Sequence, residues 1–238
     1  MAGSGTRLPW PRSGEGMRDV LYDFHCHTYL SDGELSPVEL IRTASVQGYT
    51  TVAITDHAGV GFLAARIREL RRDIAIATRY WPIQVLTGVE LTHLPPEAIA
   101  EAAAEARSSG AELVVVHGET TAEPVPPGTN LAALRCPDVD VLGHPGLLSE
   151  EEAALAAANG TFVELSGRRG HSLANGLVAL RCLAAGAMLI VDSDGHAPED
   201  LLTEERARRI ALGAGVPEAL LGQVLLEHPQ RLLGKLRR

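Results

Sequence analysis

Cysteine is scarce in this chain. Cys26, Cys136 and Cys182 are the only three in 238 residues, and no two form a C-x-x-C pair. An odd, widely spaced set supplies neither a disulfide framework nor a thiolate metal knuckle, and it points to the cytoplasm, where thiols stay reduced. Basic residues are in deficit, 21 Lys and Arg against 30 Asp and Glu, for a net charge of −9. Stable nucleic-acid binding needs clustered cations for phosphates, so that partner is not expected. Lysine occurs once, as Lys235 in the C-terminal tail, which removes a site built on a bridging carboxylated lysine. Long apolar runs are missing: stretch 187–191 is typical of the longest, far below the ~20 residues of a membrane span. Residues 1–18 carry Arg7, Arg12 and Arg18 but no apolar segment of a secretory signal. No glycine-rich phosphate fingerprint follows the first strand, and there is no G-x-S-x-G nucleophile motif. What the chain does have is 45% apolar residues, enough to bury a core, and nine histidines, most of them beside Asp, Glu or Gly.

From residue 19 onward, β-rich runs alternate with Ala-, Leu-, Glu- and Arg-rich stretches of helical character. Strands are predicted near 20–25, 51–55, 83–89, 112–117, 139–142, 161–166 and 188–192, with helices at 36–47, 62–77, 96–108, 131–136, 150–158 and 173–185. Ser36, Pro37 and Glu39 form a helix start with a capping box, and Gly48, Gly110, Gly160 and Gly186 stand where helices stop. Seven β-α units imply parallel strands with right-handed crossovers, and the apolar strand cores 113–116 and 189–191 suit strands covered by helices. The fold class is therefore α/β, as an open doubly wound sheet or a closed barrel. A single domain is expected over 19–238, ending in two helices broken near 213–217. Segment 1–18 reads as a flexible tail, with Met17 an alternative start, and 124–128 as an ordered or semi-ordered loop.

Nearly every predicted strand ends in metal-ligand chemistry: His25 and His27 followed by Asp32, then Asp56-His57, Glu90, His117, His144, and Asp194-Gly195-His196. In a parallel barrel these ends open onto one face, so residues remote in sequence converge. Strand alternation projects His25 and His27 together and turns Cys26 away. Imidazole and carboxylate donors suit Zn, Mn or Fe rather than Ca²⁺.

The set resembles the PHP (polymerase and histidinol phosphatase) superfamily over residues ~19–215. His25-Cys26-His27-Thr28 through Ser31-Asp32-Gly33, Thr55-Asp56-His57, Gly88-Val89-Glu90, Val116-His117-Gly118, Gly143-His144-Pro145 and Asp194-Gly195-His196 match its motifs. The resemblance implies a distorted (β/α)7 barrel, a TIM-like fold holding two or three divalent metal ions, Zn, Mn or Fe. All nine ligand positions are filled, which implies a live site like that of the small stand-alone histidinol-phosphatase-like hydrolases. It also implies that His25, His27, Glu90 and Asp194 take one metal and that Glu90 is shared with a second held by His117 and His144. Asp32, His57 and His196 would take a third. Asp32 stands where some members have His, and Gly195 replaces the small residue usual in the last motif. Glu90, Asp194 and His196 are expected to be catalytic as well as ligating.

Two metals about 3.5–4 Å apart lower the pKa of a bridging water and clamp an in-line displacement, so metal-bound hydroxide is the expected nucleophile. Bound cations would make the pocket locally positive despite the chain's acidity. Arg168 and Arg169, between Gly167 and Gly170 after the sixth strand, are the expected phosphate-binding residues. Asp56 is read either as a carboxylate orienting an imidazole or as a structural hydrogen-bonding group. Glu164 and Ser166, ending the one strand without a ligand, either support the ligands or stand by. His93 reads as a loop residue, His228 as structural and Glu119 as solvated. The expected function is a metal-dependent phosphatase on a small anionic phosphate monoester, histidinol phosphate the leading candidate, with no membrane partner and the oligomeric state left open. The alternatives are a phosphodiesterase or nuclease on nucleotides or oligonucleotides, a metal-dependent amidohydrolase, and a non-catalytic metal-binding module.

Overall fold

The structure, a computed structural model, describes residues 20–237. The tail read over 1–18 and the start at Met17 lie outside the described residues. All seven predicted strands form: β1 (Leu21–Asp23), β2 (Tyr49–Ile54), β4 (Gln84–Leu91), β5 (Leu113–His117), β6 (Val141–Gly143), β7 (Phe162–Ser166) and β8 (Leu189–Asp192). They pair in parallel in that order, a sheet of seven strands nearly closed into the expected (β/α)7 barrel. An eighth piece, β3 (His57–Ala58), was not foreseen. The chain leaves the sheet after β2 and rejoins the long β4 at Glu90 and Leu91, which brings His57 beside Glu90.

Helices α1 (Pro37–Val46), α2 (Leu63–Ala77), α3 (Ile99–Ser108), α4 (Thr129–Arg135), α5 (Glu150–Asn159) and α6 (Asn175–Ala185) fill the crossovers. The capping box predicted at Ser36 and Glu39 is present in both directions, and Gly186 ends α6 in the left-handed region. After β8 come α7 (Glu204–Gly213) and α8 (His228–Leu236), with the expected break between them. None of the described helices is long and apolar enough to cross a membrane.

Period-two alternation sorts the side chains. Tyr22, Phe24, Ala53, Leu86, Leu113, Val115, Val141, Phe162 and Ile190 form one apolar cluster inside the barrel, joined by Leu232 and Leu233 of α8 at its lower end. Their strand neighbours Val85, Val89, Val114, Val116, Leu142, Val163, Leu165 and Val191 pack in a second cluster with the helices. The same alternation carries the interior column upward from apolar to polar: Leu86 to Glu90, Val115 to His117, Phe162 to Glu164, Ile190 to Asp192.

The barrel closes at β1 and β8 by a different device. Phe24 N–H donates to Asp192 Oδ1 at 2.6 Å and Ser193 N–H to Asp23 Oδ1 at 3.0 Å, so buried carboxylates stand where a backbone ladder would run. Only above them does backbone pairing resume, in the Cys26–Gly195 bridge. Burial pushes the Asp23 carboxyl up to about 6, and burial beside Asp23 and Glu164 pushes Asp192 well above the carboxylate range.

Candidate metal centre

The nine residues singled out from the sequence gather at the C-terminal end of the barrel, where strand ends and their loops meet. His25 and His27 point inward past β1 while Cys26 is buried in the outer apolar cluster; since Phe24 also lies inside, the alternation is broken between Phe24 and His25 and resumes from there. His144 and Asp194, directly after β6 and β8, hold positive φ angles of 24° and 50°. Such backbone costs non-glycine residues on the order of 1–3 kcal/mol each and concentrates at functional sites.

Most of the imidazoles are fastened by Nδ1, leaving Nε2 for the cavity. His25 Nδ1 lies 2.5 Å from Glu164 Oε2, and His117 Nδ1 lies 3.2 Å from the Gly118 carbonyl. His196 Nδ1 lies 3.0 Å from the Asp194 carbonyl. His57 Nδ1 is 2.6 Å from Glu90 Oε2 and 2.7 Å from Thr92 Oγ1. An imidazole with one nitrogen held by an oxygen is oriented as a metal ligand on the other. Gly143 leaves room beside the Glu164–His25 pair: a Cβ there would lie 3.3 Å from His25 Cε1, tight by a few tenths of an ångström.

The nitrogens and oxygens left over face one another without bonding. His25 Nε2 and His144 Nε2 are 3.3 and 3.4 Å from Glu90 Oε1, and His27 Nε2 is 3.3 Å from Asp194 Oδ1. His196 and His57 bring Nε2 to 3.2 and 3.5 Å from Asp32 Oδ1. These gaps exceed the ~2.7–2.9 Å of a charge-assisted hydrogen bond. They match the separation of about 3.4 Å between two ligands each ~2.0–2.1 Å from a tetrahedral ion. His25 Nε2, both nitrogens of His27, Glu90 Oε1, His144 Nδ1, Asp194 Oδ2 and His196 Nε2 are buried without a hydrogen-bond partner. Each such atom costs about 1–3 kcal/mol unless something satisfies it, and divalent cations would satisfy them together. The residues fit a metal cluster.

Ligand-type atoms come within 4.8 Å of one another in His25–His27–Glu90, in His25–His144–Asp194, and in His27–Asp32–His57–His196. Asp32, His57 and His196 thus meet as the resemblance implies, with His27 added. Among the described residues Glu90 shares no such group with His117, which instead groups with His144 and His171 and with His93 and Glu123.

Charge follows geometry. Burial opposes protonation of His25, but the Glu164, Glu90 and Asp194 carboxylates outweigh it and hold its pKa well above the ordinary value. Burial likewise opposes charge on His57, yet Glu90 and Asp32 raise it to about 10. Burial prevails at His27 and His117, lowered to about 3 and about 4. Against the pull of burial, surrounding imidazoles keep Glu90 and Asp194 well below the usual carboxylate range.

The two open readings resolve differently. Asp56 accepts from Thr28 N–H, Thr28 Oγ1 and Ser31 Oγ, each at 2.7 Å, so it holds the 28–31 loop and touches no imidazole. Glu164 holds His25, one of the expected ligands, directly. Its signal was in the sequence, since Phe162 and Glu164 share a strand face just as Val115 and His117 do. Glu119, expected to be solvated, instead accepts from Gly128 and Asn130 N–H at 2.9 and 3.0 Å, capping α4. Its short carboxylate reaches the free amides of that helix start. His228 is structural as expected, its Nδ1 2.8 Å from the Leu189 carbonyl. Arg168 is half-buried with Nη1 3.5 Å from the Asp194 carbonyl, while Arg169 is exposed. Glu123 was missed and His171 was given no role of its own, because neither sits in a strand whose alternation could be read.

The PHP domain family matches residues 23–165. An uncharacterised protein of Methanocaldococcus jannaschii is 44% identical over 220 residues, 90% of this chain and 99% of that protein. A probable phosphatase of Thermoanaerobacter sp. is 26% identical over 85% of this chain and 89% of its own length. A 5'-3' exoribonuclease of Haemophilus influenzae is 41% identical over 71 residues, 30% of this chain and 23% of the exoribonuclease. Among solved structures, histidinol phosphate phosphatase of Lactococcus lactis, in complex with zinc, L-histidinol and phosphate, superposes with a TM-score of 0.61. It covers 83% of this chain and 95% of that one at 16% identity, a likeness of fold.

Proposed function

This chain belongs to the PHP domain family and is a metal-dependent phosphoesterase; we propose that its substrate is a small phosphate monoester, with histidinol phosphate the leading candidate. The observation that carries this reading is the set of unpaired, buried imidazole and carboxylate donors spaced as ligands of a metal cluster. Divalent ions bound there supply Lewis-acid polarisation of the phosphoryl group and a water acidified toward neutrality.

The chain's own residues do the rest. Glu90 faces His25, His57 and His144 at once and would be the carboxylate shared between ions. Held far below the usual carboxylate range, Glu90 and Asp194 are anionic at neutral pH. Glu164 fixes His25 so that Nε2 faces the cavity. Arg168, beside the Asp194 carbonyl, reaches the edge of the centre, where its guanidinium would bind a substrate phosphate.

The half-exposed carboxylates of Asp32 and Glu123 border the mouth, and the chain carries a net charge of −9. Both features favour a small substrate over a polyanion. A phosphodiesterase or nuclease is the second reading, supported by the likeness to an exoribonuclease over 71 residues. The deciding experiment is a screen of metal-reconstituted protein against phosphate monoesters, including histidinol phosphate, and against diesters and oligonucleotides. Faster turnover of a diester than of every monoester would overturn the proposal.

A further inference from the structure

The loop between β7 and α6 carries Arg168 and Arg169 and then an imidazole, His171, that the nine ligand positions do not include. Its backbone is held at both ends. Asn175, at the start of α6, accepts from Ser166 N–H at 3.2 Å and donates to the Ser166 carbonyl at 2.9 Å. Gly167 N–H donates to the Asp192 carbonyl at 2.8 Å, and Ser172 N–H to the Arg168 carbonyl at 3.1 Å. His171 is thus delivered to one place by a fastened loop.

That place is the metal centre. The His171 ring is buried and stacks on His144 with centroids 4.2 Å apart, while His117 stands edge-on to it at 5.9 Å. Ligand-type atoms of His117, His144 and His171 come within 4.8 Å of one another. An imidazole so placed is either one more metal ligand or a donor to whatever anion the centre holds, and its Nδ1 partner separates the two. Thr120 Oγ1 lies 2.6 Å from His171 Nδ1 and accepts from Ala122 N–H at 3.3 Å. Among the described residues the single hydroxyl proton of Thr120 has no other acceptor, so it is donated to Nδ1. With Nδ1 accepting, the proton of the ring sits on Nε2, which then has no lone pair for an ion. The carboxylate oxygen beside that N–H, Glu123 Oε1, is 3.6 Å away, beyond the ~2.7–3.2 Å of an N–H···O bond. A donor is therefore left unspent beside the ligands.

We propose that His171 binds phosphate, donating from Nε2 to an oxygen of the phosphoryl group held at the centre. The proposal rests on the reading of this centre as a phosphate monoesterase and is independent of the alcohol that leaves. It adds a short, buried donor to the half-buried guanidinium of Arg168 on the same loop, and a ring already locked by Thr120 and His144 has little rotamer freedom left to lose on binding.

The test is calorimetric titration of zinc-loaded protein with inorganic phosphate, the product of any monoester, for wild type, His171→Ala and His171→Gln. Zinc per chain and zinc affinity are measured on the same samples. His171→Ala should bind phosphate roughly 10- to 150-fold more weakly, as for loss of a hydrogen bond to a charged acceptor, with zinc number and affinity unchanged. Gln places an amide N–H near the position of Nε2 and should recover most of the loss. Heteronuclear NMR of the imidazole nitrogens in metal-free protein should show the His171 proton on Nε2. Phosphate affinity of His171→Ala within twofold of wild type would overturn the proposal while leaving the monoesterase reading intact. A parallel fall in zinc number or affinity would overturn it as well, by making His171 a ligand or a support for His144. Wild-type protein that binds zinc but no phosphate would overturn the monoesterase reading and this proposal together.

Discussion

Glu164→Gln isolates the support given to His25. The wild-type pair is 2.5 Å long, with both side chains fully buried. A hydrogen bond to a charged group contributes ~1.5–3 kcal/mol, which corresponds to roughly 10- to 150-fold in an equilibrium constant. Gln keeps the shape and one neutral acceptor, so about 10-fold weaker zinc binding is expected. Glu164→Ala, which removes the partner altogether, should approach 100-fold, the range found for outer partners of ligating histidines. A second effect acts on folding. The Glu164 charge helps hold buried His25 protonated in the metal-free protein, so neutralising it breaks a buried charged pair. The metal-free Glu164→Gln protein should therefore melt below wild type near pH 7. Competition with a chromophoric chelator measures the affinity, and thermal melts of stripped protein measure the stability. Zinc affinity within twofold of wild type for both variants would mean that Glu164 does not orient His25 as a ligand.

Four further outcomes are expected. Glu90→Gln should cut hydrolysis at least ~10²-fold by disturbing the metal site while circular dichroism shows the barrel intact; near-normal turnover would exclude a shared carboxylate. Arg168→Ala should lower kcat/KM roughly 10- to 150-fold with metal content unchanged, and exposed Arg169 should matter less. Wild-type kcat/KM in the double variant would leave phosphate binding to the metals alone. Zinc uptake near pH 7 should release protons from His25 and His57, whose metal-free pKa values lie above the ordinary imidazole range, and none from His27 or His117. Affinity should thus rise from about pH 6 to 9, and calorimetry in buffers of different ionisation enthalpy counts the protons; finding none would contradict those charge states. Asp192 has a folded pKa raised above its unfolded value, so its stabilising contribution is full below the unfolded pKa and is lost as pH rises through the folded one. Asp192→Asn should therefore raise Tm at pH 8 and leave it unchanged at pH 4, and an equal shift at both would disprove a titrating seam.

Much of this was legible in the residues themselves. Alternating β and α patterns specified seven parallel units because the hydrophobic period changes from 2 to 3.6 at each junction, and Ser36 with Glu39 placed a helix start through its own local bonds. Side-chain direction along a strand is also local, so His25 and His27 on one side with Cys26 on the other followed from the chain alone, as did the step from Val115 to His117; that the histidines face inward beside an equally inward Phe24 came from a break in the alternation that only the fold shows. By the same rule Glu164 was readable from Phe162. What only the tertiary structure decided depends on distance between segments that the sequence keeps apart. That Glu164 meets His25 across 139 residues, that Asp56 ties down a loop while Glu119 caps a helix, and that His57 returns to β4 as a separate piece of strand are results of packing. Asp192 and Asp23 replace a ladder at the seam because the last strand meets the first only when the barrel closes. His93 and Glu123 lie on loops whose backbone has no period and His171 opens a single short turn of helix, so nothing short of the folded arrangement brings them near His117.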